Sequence, residues 1–148
     1  MSIEVRGVCT LLQVFDMPTS VRFYRDVLGF EIVKTTPPRE GDQFDWGLLR
    51  LGDTELMLNT AHEQDKRAAQ PDPARIKAHR DVSLYFGCPD VEAAYRHLLD
   101  YGIDAEKQRS LPGARNSVTS AIRMATRCVF NGWRNKGSLS DLPFLCWR

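Results

Sequence analysis

Apolar and polar positions in the first 60 residues follow strand and helix periodicities in turn. Residues 8–15 form a mostly apolar run with β-branched side chains, which predicts a buried strand. Asp16 and Pro18 supply a capping oxygen and a first-turn proline, so they predict a helix start, and Gly29 predicts its end. Residues 30–35, 46–51 and 55–59 are strand candidates, the last two joined by a turn. The first unit, about residues 7–60, therefore has the order strand–helix–strand–strand–strand.

The same order restarts after a charged, proline-containing linker at residues 61–80. A strand is predicted at residues 81–87, a helix from Asp90 to Gly102, and a further strand at residues 103–107. Asp16 and Asp90, which open the two helices, are 74 positions apart. This repetition predicts an internal duplication, with the second unit at residues 81–108.

Composition limits the chain to a single soluble domain over residues 1–148. It is 43% hydrophobic and 26% charged, and no apolar run is long enough to span a membrane. The start of the chain has no apolar segment of the secretory kind, so we expect a cytoplasmic protein. The four cysteines form no C-x-x-C pair, which favours free thiols over a structural zinc site.

Charge divides the chain unevenly. Residues 1–108 hold 13 Lys/Arg and 18 Asp/Glu, a net charge of −5, whereas residues 109–148 hold 7 Lys/Arg and one acid, a net charge of +6. The acidic first part argues against nucleic-acid binding. Such an asymmetry is typical of a nucleic-acid or membrane tail, or of a segment with a different origin.

Three segments carry a family resemblance. Leu12–Phe30 contains a Ser-x-x-Phe-Tyr helix and a Leu-Gly-Phe exit, and it resembles the opening of the vicinal-oxygen-chelate superfamily, which includes glyoxalases, bleomycin resistance proteins and extradiol dioxygenases. Gly52–Leu58 resembles the fourth strand of that family, and Ser83–Val91 resembles the start of its second module. The resemblance implies an α+β fold of two βαβββ modules that form a curled mixed sheet around a cleft. Family members hold a divalent metal there, or bind a ligand without one, and many are dimers.

The resemblance also identifies the positions at which metal-dependent members place their ligands. Here these positions hold Cys9, Glu55 and Ser83, where family enzymes usually have His, Gln or Glu. Glu55 alone is a typical donor, Cys9 is a soft one, and Ser83 is a weak neutral one. Since tight sites need three or four donors, we expect no complete metal site. Binding of a divalent metal by Glu55 together with other groups is the alternative.

Ligand-binding candidates follow from strand periodicity. Gln13 lies four residues after Cys9, so both point to the same face, toward the cleft if Cys9 does. Phe44 and Trp46 are two positions apart, so strand alternation puts their side chains on one face. There they could form an aromatic cleft wall, or could instead fill the core. With Glu55, these three residues are the predicted ligand-binding set.

The tail departs from the family pattern. Family members end with a turn of the form Asp-Pro-Asp-Gly-Tyr and a strand such as Leu-Cys-Phe-Gln-Trp, which residues 109–148 lack. Plausible codons for residues 121–133, read in a shifted frame, encode Asp-Pro-Asp-Gly-Tyr-Ser-Leu-Cys-Phe-Gln-Trp. We infer a frameshift around residues 107–118, with natural divergence as the alternative. An out-of-frame tail should leave the second module incomplete, without a properly placed final strand.

These observations predict a protein that binds a small molecule in its cleft without a complete metal site. One alternative is a metal-dependent lyase, isomerase or dioxygenase that uses Glu55. Another is a metal-free, dimeric, drug-sequestering resistance protein with an aromatic cleft. We expect a homodimer with a small-molecule partner and neither nucleic acid nor membrane.

Overall fold

The computed structural model describes residues 3–4, 6–62, 66–78, 83–108, 117–120 and 127–132. The first unit contains β1 (Thr10–Val14), α1 (Met17–Val21) continuing as a π-helix (Arg22–Val27), β2 (Glu31–Thr35), β3 (Trp46–Leu51) and β4 (Thr54–Thr60). A short helix, α2 (Pro73–Ala78), follows in the linker. The second unit contains β5 (Ser83–Cys88), α3 (Val91–Asp100), β6 (Ala105–Gln108), β7 (Ser117–Ser120) and β8 (Arg127–Gly132). None of the described helices has both the length and the apolar character needed to cross a membrane.

The two units have the same sheet topology. The first sheet has the strand order β1-β4-β3-β2 and the second has the order β5-β8-β7-β6. In each sheet the first and last strands of the unit pair in parallel, and the other neighbours are antiparallel. The predicted duplication into two βαβββ modules is therefore confirmed, and the fold is α+β with mixed sheets.

Matching caps begin the two main helices. The carboxylate of Asp16 accepts a hydrogen bond from the Thr19 amide at 2.8 Å, and that of Asp90 accepts one from the Ala93 amide at 2.9 Å. These bonds satisfy amides that lack a partner within the helix. Gly29, with φ 79°, follows the first helix, so its left-handed backbone permits the sharp exit. The sequence signals for both helix starts are confirmed.

The core lies between the sheets and the helices. Leu12 and Val14 of β1 are buried against it, together with Leu58 of β4. The two units also touch directly, because Phe30 packs edge-on against Phe86 with ring centroids 6.3 Å apart. A ring nitrogen of His97 on α3 lies 2.8 Å from the main-chain oxygen of Val27.

The second module is not incomplete, so that expectation is wrong. Residues 117–120 and 127–132 of the tail form β7 and β8 and complete a four-stranded sheet. β8 pairs with β5 from Ser83↔Arg127 to Cys88↔Gly132. The physical reason is that ladder hydrogen bonds join main-chain groups, which any sequence supplies, and residues such as Val and Phe favour strands. The strands say nothing about the reading frame, so the frameshift stays a hypothesis.

Candidate functional site

One side of the first sheet is turned away from the core, and we call it the open face. Residues that pair directly across a ladder share a face, so the registers of β1, β3 and β4 define its members. They form a polar row of Gln13, Asn59 and Trp46, an apolar row of Leu11, Met57 and Leu48, and a charged row of Glu55 and Arg50. The intervening residues of these strands, such as Leu12 and Leu58, are buried. The open face therefore offers apolar surface between polar ends.

The charged row is an ion pair across the β3–β4 ladder. Nη2 of Arg50 lies 2.7 Å from Oε1 of Glu55, and Nε of Arg50 lies 3.2 Å from the same oxygen. Cys9 directly precedes β1, and continuing the parallel register from Thr10↔Leu56 by one position would set it opposite Glu55. The structure thus brings together two of the three predicted metal-ligand positions, one of them already held by a guanidinium.

The third position lies on the second sheet. Ser83 begins β5 and pairs with Arg127 of β8, which is the same register relation that Cys9 has with Glu55. The internal repeat therefore supplies a serine and an arginine where the first unit has a cysteine and a glutamate. Arginine is permanently cationic and has no acceptor for a metal. In the described part of the chain, no group of three or more His, Cys, Asp or Glu side chains could hold a metal ion. These residue types do not fit a divalent cation.

Two of the predicted ligand-binding residues come together in the polar row. Gln13 of β1 and Trp46 of β3 flank Asn59 of β4, and the Trp46 side chain is half-buried. The side-chain oxygen of Gln13 accepts a hydrogen bond from the Arg75 guanidinium. The row therefore combines amide hydrogen-bonding groups with one flat aromatic surface.

Phe44 lies in the core rather than beside Trp46. Its side chain is 5% exposed, and a Cβ added at Gly47 would meet its ring at 2.7 Å. Gly47 is a buried position of β3, so the ring packs on the core side of the sheet. The strand begins only at Trp46, and the alternation of faces therefore does not extend back to Phe44. Phe44 therefore fills the core and does not form part of an aromatic cleft wall.

Residues of the linker form part of the site, and their place there was not predicted from the sequence. A cavity of about 210 Å³ lies between the end of β1 and α2, with Gln13, Phe15, Arg75 and Ile76 among its lining residues. The signal that could have revealed α2 is the Asp72-Pro73 pair, a cap followed by a first-turn proline. Indeed the Asp72 carboxylate accepts a hydrogen bond from the Ala74 amide at 2.9 Å.

Arginine contacts hold the linker against the end of β1. The Arg67 guanidinium donates to the Asp16 carboxylate and lies 4.7 Å from the centroid of the Phe15 ring. Partial burial alone would raise the pKa of Asp16, but hydrogen bonds from Thr19 and Arg67 hold that pKa below its ordinary value. The Phe15 ring also packs against the His62 ring at a tilt of 55°, with ring centroids 5.3 Å apart.

Known proteins share both the sequence pattern and the fold. Residues 8–123 match the family model of the Glyoxalase/Bleomycin resistance protein/Dioxygenase superfamily. No curated protein matches the chain significantly.

Three solved structures illustrate the likeness in fold. The crystal structure of SMU.1112c has a TM-score of 0.64 and 23% identity, covering 86% of this chain and 99% of that one. Lactoylglutathione lyase from Agrobacterium tumefaciens has a TM-score of 0.62 and 20% identity, covering 86% and 94%. The bleomycin-binding protein from Streptomyces verticillus, complexed with copper(II)-bleomycin, has a TM-score of 0.55 and 19% identity, covering 90% and 100%. At these identities the likeness concerns the fold alone.

Proposed function

Since this chain belongs to the Glyoxalase/Bleomycin resistance protein/Dioxygenase superfamily, we propose that it binds a small molecule on the open face without a complete metal site. The observation that carries the proposal is the 2.7 Å contact between Arg50 and Glu55. It neutralises the one carboxylate that stands at a family ligand position. Cys9 and Ser83 are too weak or too soft to replace it as hard donors.

The open face has the composition of a small-molecule site. Met57 and Leu48 offer apolar surface, and Trp46 offers a half-buried ring beside them. Gln13 and Asn59 place amides at one end, where they can orient a bound molecule. Sites for small molecules typically combine a largely apolar lining with a few such polar groups.

The proposal is tested by calorimetric titration with 1-naphthamide, a flat neutral probe, in the presence of EDTA. We expect binding that the chelator does not weaken, and a loss of about tenfold in Trp46→Ala, because ring stacking adds to apolar burial. Tyr101→Ala, an aromatic truncation on an exposed position beyond α3, is the matched control and should bind as the parent does. Binding that needs added metal, or that both variants weaken equally, would overturn the proposal.

A dimeric drug-sequestering protein is the second candidate. Leu11 on β1 is 48% exposed and Tyr85 on β5 is 64% exposed, and these positions are 74 residues apart, as are the two helix caps. Equivalent exposed apolar side chains on both sheets would suit a large ligand held between subunits. Titration with metal-free bleomycin separates this candidate from the first. If it holds, each drug molecule should occupy one pair of binding faces, and monomers should not bind the drug.

The metal-dependent enzyme is the less supported alternative. It would require Glu55 to leave Arg50 and to act with donors other than Cys9 and Ser83. Glu55→Gln should abolish both metal binding and turnover if this alternative holds, but should leave naphthamide binding within about twofold if the open face works without metal. A parent protein that neither binds metal nor shows turnover would exclude the enzyme, whatever the result with naphthamide.

A further inference from the structure

The cavity between β1 and α2 has an uneven charge. Arg75 and Lys66 contribute two cationic side chains to its lining, whereas Asp72 is the acidic residue there. One oxygen of Asp72 is already engaged by the Ala74 amide in the cap of α2. The described residues of the lining therefore include more cationic than acidic side chains, close to the apolar surfaces of Val14, Phe15 and Ile76.

Arg75 differs from the other arginines around the site in its partner. Arg50 pairs with Glu55 and Arg67 pairs with Asp16, both through carboxylates. The half-buried Arg75 instead donates to the neutral amide oxygen of Gln13, and no ion pair joins it to an acid within the described ranges. A guanidinium has five donors in a planar fork that matches a carboxylate. Among the described residues, the neutral acceptor occupies only part of that capacity, and no acid pairs with the charge at the cavity wall.

Gln13 adds a second hydrogen-bonding group to the cavity wall. Its side-chain oxygen is directed to Arg75, so its amide nitrogen, with two N–H groups, is the end left to donate. Arg75 and Gln13 can therefore both donate to one carboxylate, while Phe15 and Ile76 contact an apolar body. Charge-assisted hydrogen bonds of this kind are about twice as strong as neutral ones.

We propose that the cavity between β1 and α2 binds a small organic anion, a carboxylate on a compact apolar body, with Arg75 as its counter-ion. This rests on the proposed small-molecule function, because Gln13 belongs to both the open face and the cavity, and it gives the chemical class of the ligand. The linker then acts as a specificity element, because it carries the cation to a sheet whose own face presents amides and apolar groups. A neutral molecule of the same shape lacks the charge that Arg75 requires.

The test compares 1-naphthoate with 1-naphthamide, which have nearly the same shape and differ in charge, by calorimetric titration of the full chain. We expect the naphthoate to bind about tenfold or more tightly than the naphthamide. Acetate should fail to displace it, because acetate lacks the apolar body. Equal affinities for the two probes, or no binding of naphthoate, would overturn the inference.

Charge variants on α2 locate the effect. Arg75→Gln should weaken naphthoate binding by about tenfold and naphthamide binding by a clearly smaller factor. Lys77→Gln removes the same charge from the same helix, at an exposed position that does not line the cavity. It should change the affinity for neither naphthoate nor naphthamide. Arg75→Lys should retain part of the affinity, since it keeps the charge but loses the planar fork. Equal losses in Arg75→Gln and Lys77→Gln would mean a general field effect and would overturn the assignment.

Trp46→Ala separates failure of this inference from failure of the proposed function. If naphthoate binding depends on Arg75 and neither probe loses affinity in Trp46→Ala, the cavity binds anions and the open-face proposal fails. If both probes lose affinity in Trp46→Ala and neither does in Arg75→Gln, the open face binds ligand and the anion site fails.

Discussion

The carboxylate of Glu55 lies 2.7 Å from the Arg50 guanidinium on the exposed side of a two-strand ladder. About half of the Arg50 side chain and a third of the Glu55 side chain are exposed, so solvent screens the pair, which contributes on the order of 0.2–1 kcal/mol to stability. The pair matters more for chemistry than for stability. It gives the charged end of the open face a balanced charge, and a cation approaching Glu55 would meet the repulsion of Arg50.

The carboxylate of Asp16 should make the free energy of unfolding depend on pH. Its folded-state pKa is depressed, so its interactions stabilise the protein above the unfolded pKa of about 3.9, and this stability is lost as pH falls through the folded value. Asp16→Asn keeps a capping oxygen but cannot form the ion pair with Arg67. We expect the acid-induced fall in the free energy of unfolding to become shallower in this variant, measured by urea titrations at a series of pH values.

Asp90→Asn is the matched control, because Asp90 caps α3 as Asp16 caps α1. The part of the chain that the structure describes contains no ion pair of Asp90, so its variant should change the acid profile less. An identical change in both variants would show that Arg67 contributes nothing to the acid stability of the fold.

At the element scale, most of the first unit follows from its sequence. The strand predicted at residues 46–51 is β3 with the same bounds, and both helix starts were identified from their capping aspartates. The π-helical turn at Arg22–Val27 was not predicted, because its apolar spacing resembles that of an ordinary helix. β7 and β8 were missed because main-chain pairing, rather than a clear apolar alternation, places them.

The site was less predictable than the fold. The shared face of Gln13 and Trp46 follows from strand periodicity, which locates side chains on a sheet without reference to distant contacts, and their role in ligand binding stays a prediction. Phe44 lies just outside its strand, where that periodicity does not apply. Arg75 contacts Gln13 across 62 positions of sequence, and nothing local to α2 indicates this partner.

The contact between Phe44 and Gly47 allows a test of the β3 assignment. Gly47→Ala would place a Cβ 2.7 Å from the Phe44 ring, so the ring must shift within the core, and we expect a loss of about 1–3 kcal/mol in the free energy of unfolding. Gly7→Ala, with no neighbouring atom within 4 Å, should be nearly neutral. Phe44→Leu in the Gly47→Ala background should recover part of the loss. A neutral Gly47→Ala would contradict the burial of Phe44 on the core side.

At the scale of the whole molecule, both sheets present free edges. Within the described strands, β1 and β5 are edge strands, and each exposes an apolar side chain, Leu11 and Tyr85. An edge with unpaired main-chain groups and apolar side chains favours association. We propose a homodimer, and expect sedimentation velocity at micromolar concentration to give the mass of two chains.

Substitution tests whether these edges form the contact. The double variant Leu11→Lys, Tyr85→Lys should shift the protein toward monomer, because lysines on an edge oppose strand pairing. Leu99→Lys, an equally drastic change at an exposed position of α3, should not. A parent protein that sediments as a clean monomer would contradict the dimer.

The origin of the tail is a second question at this scale. If residues after about 107–118 are out of frame, restoring the frame in the gene should raise the free energy of unfolding by about 2 kcal/mol or more, because side chains selected for this core would replace unselected ones. A gene recoded without amino-acid changes is the control. Equal stability of the two proteins in urea titration would leave the frameshift without consequence for the fold.

We expect the chain to bind its ligand without a resident metal. Elemental analysis of protein purified without chelators tests it most directly, since a site with one strong donor should not retain a cation through purification. We expect zinc, nickel, iron and manganese each far below one equivalent per chain. One equivalent of any of them per chain, lost in Glu55→Gln, would contradict the account.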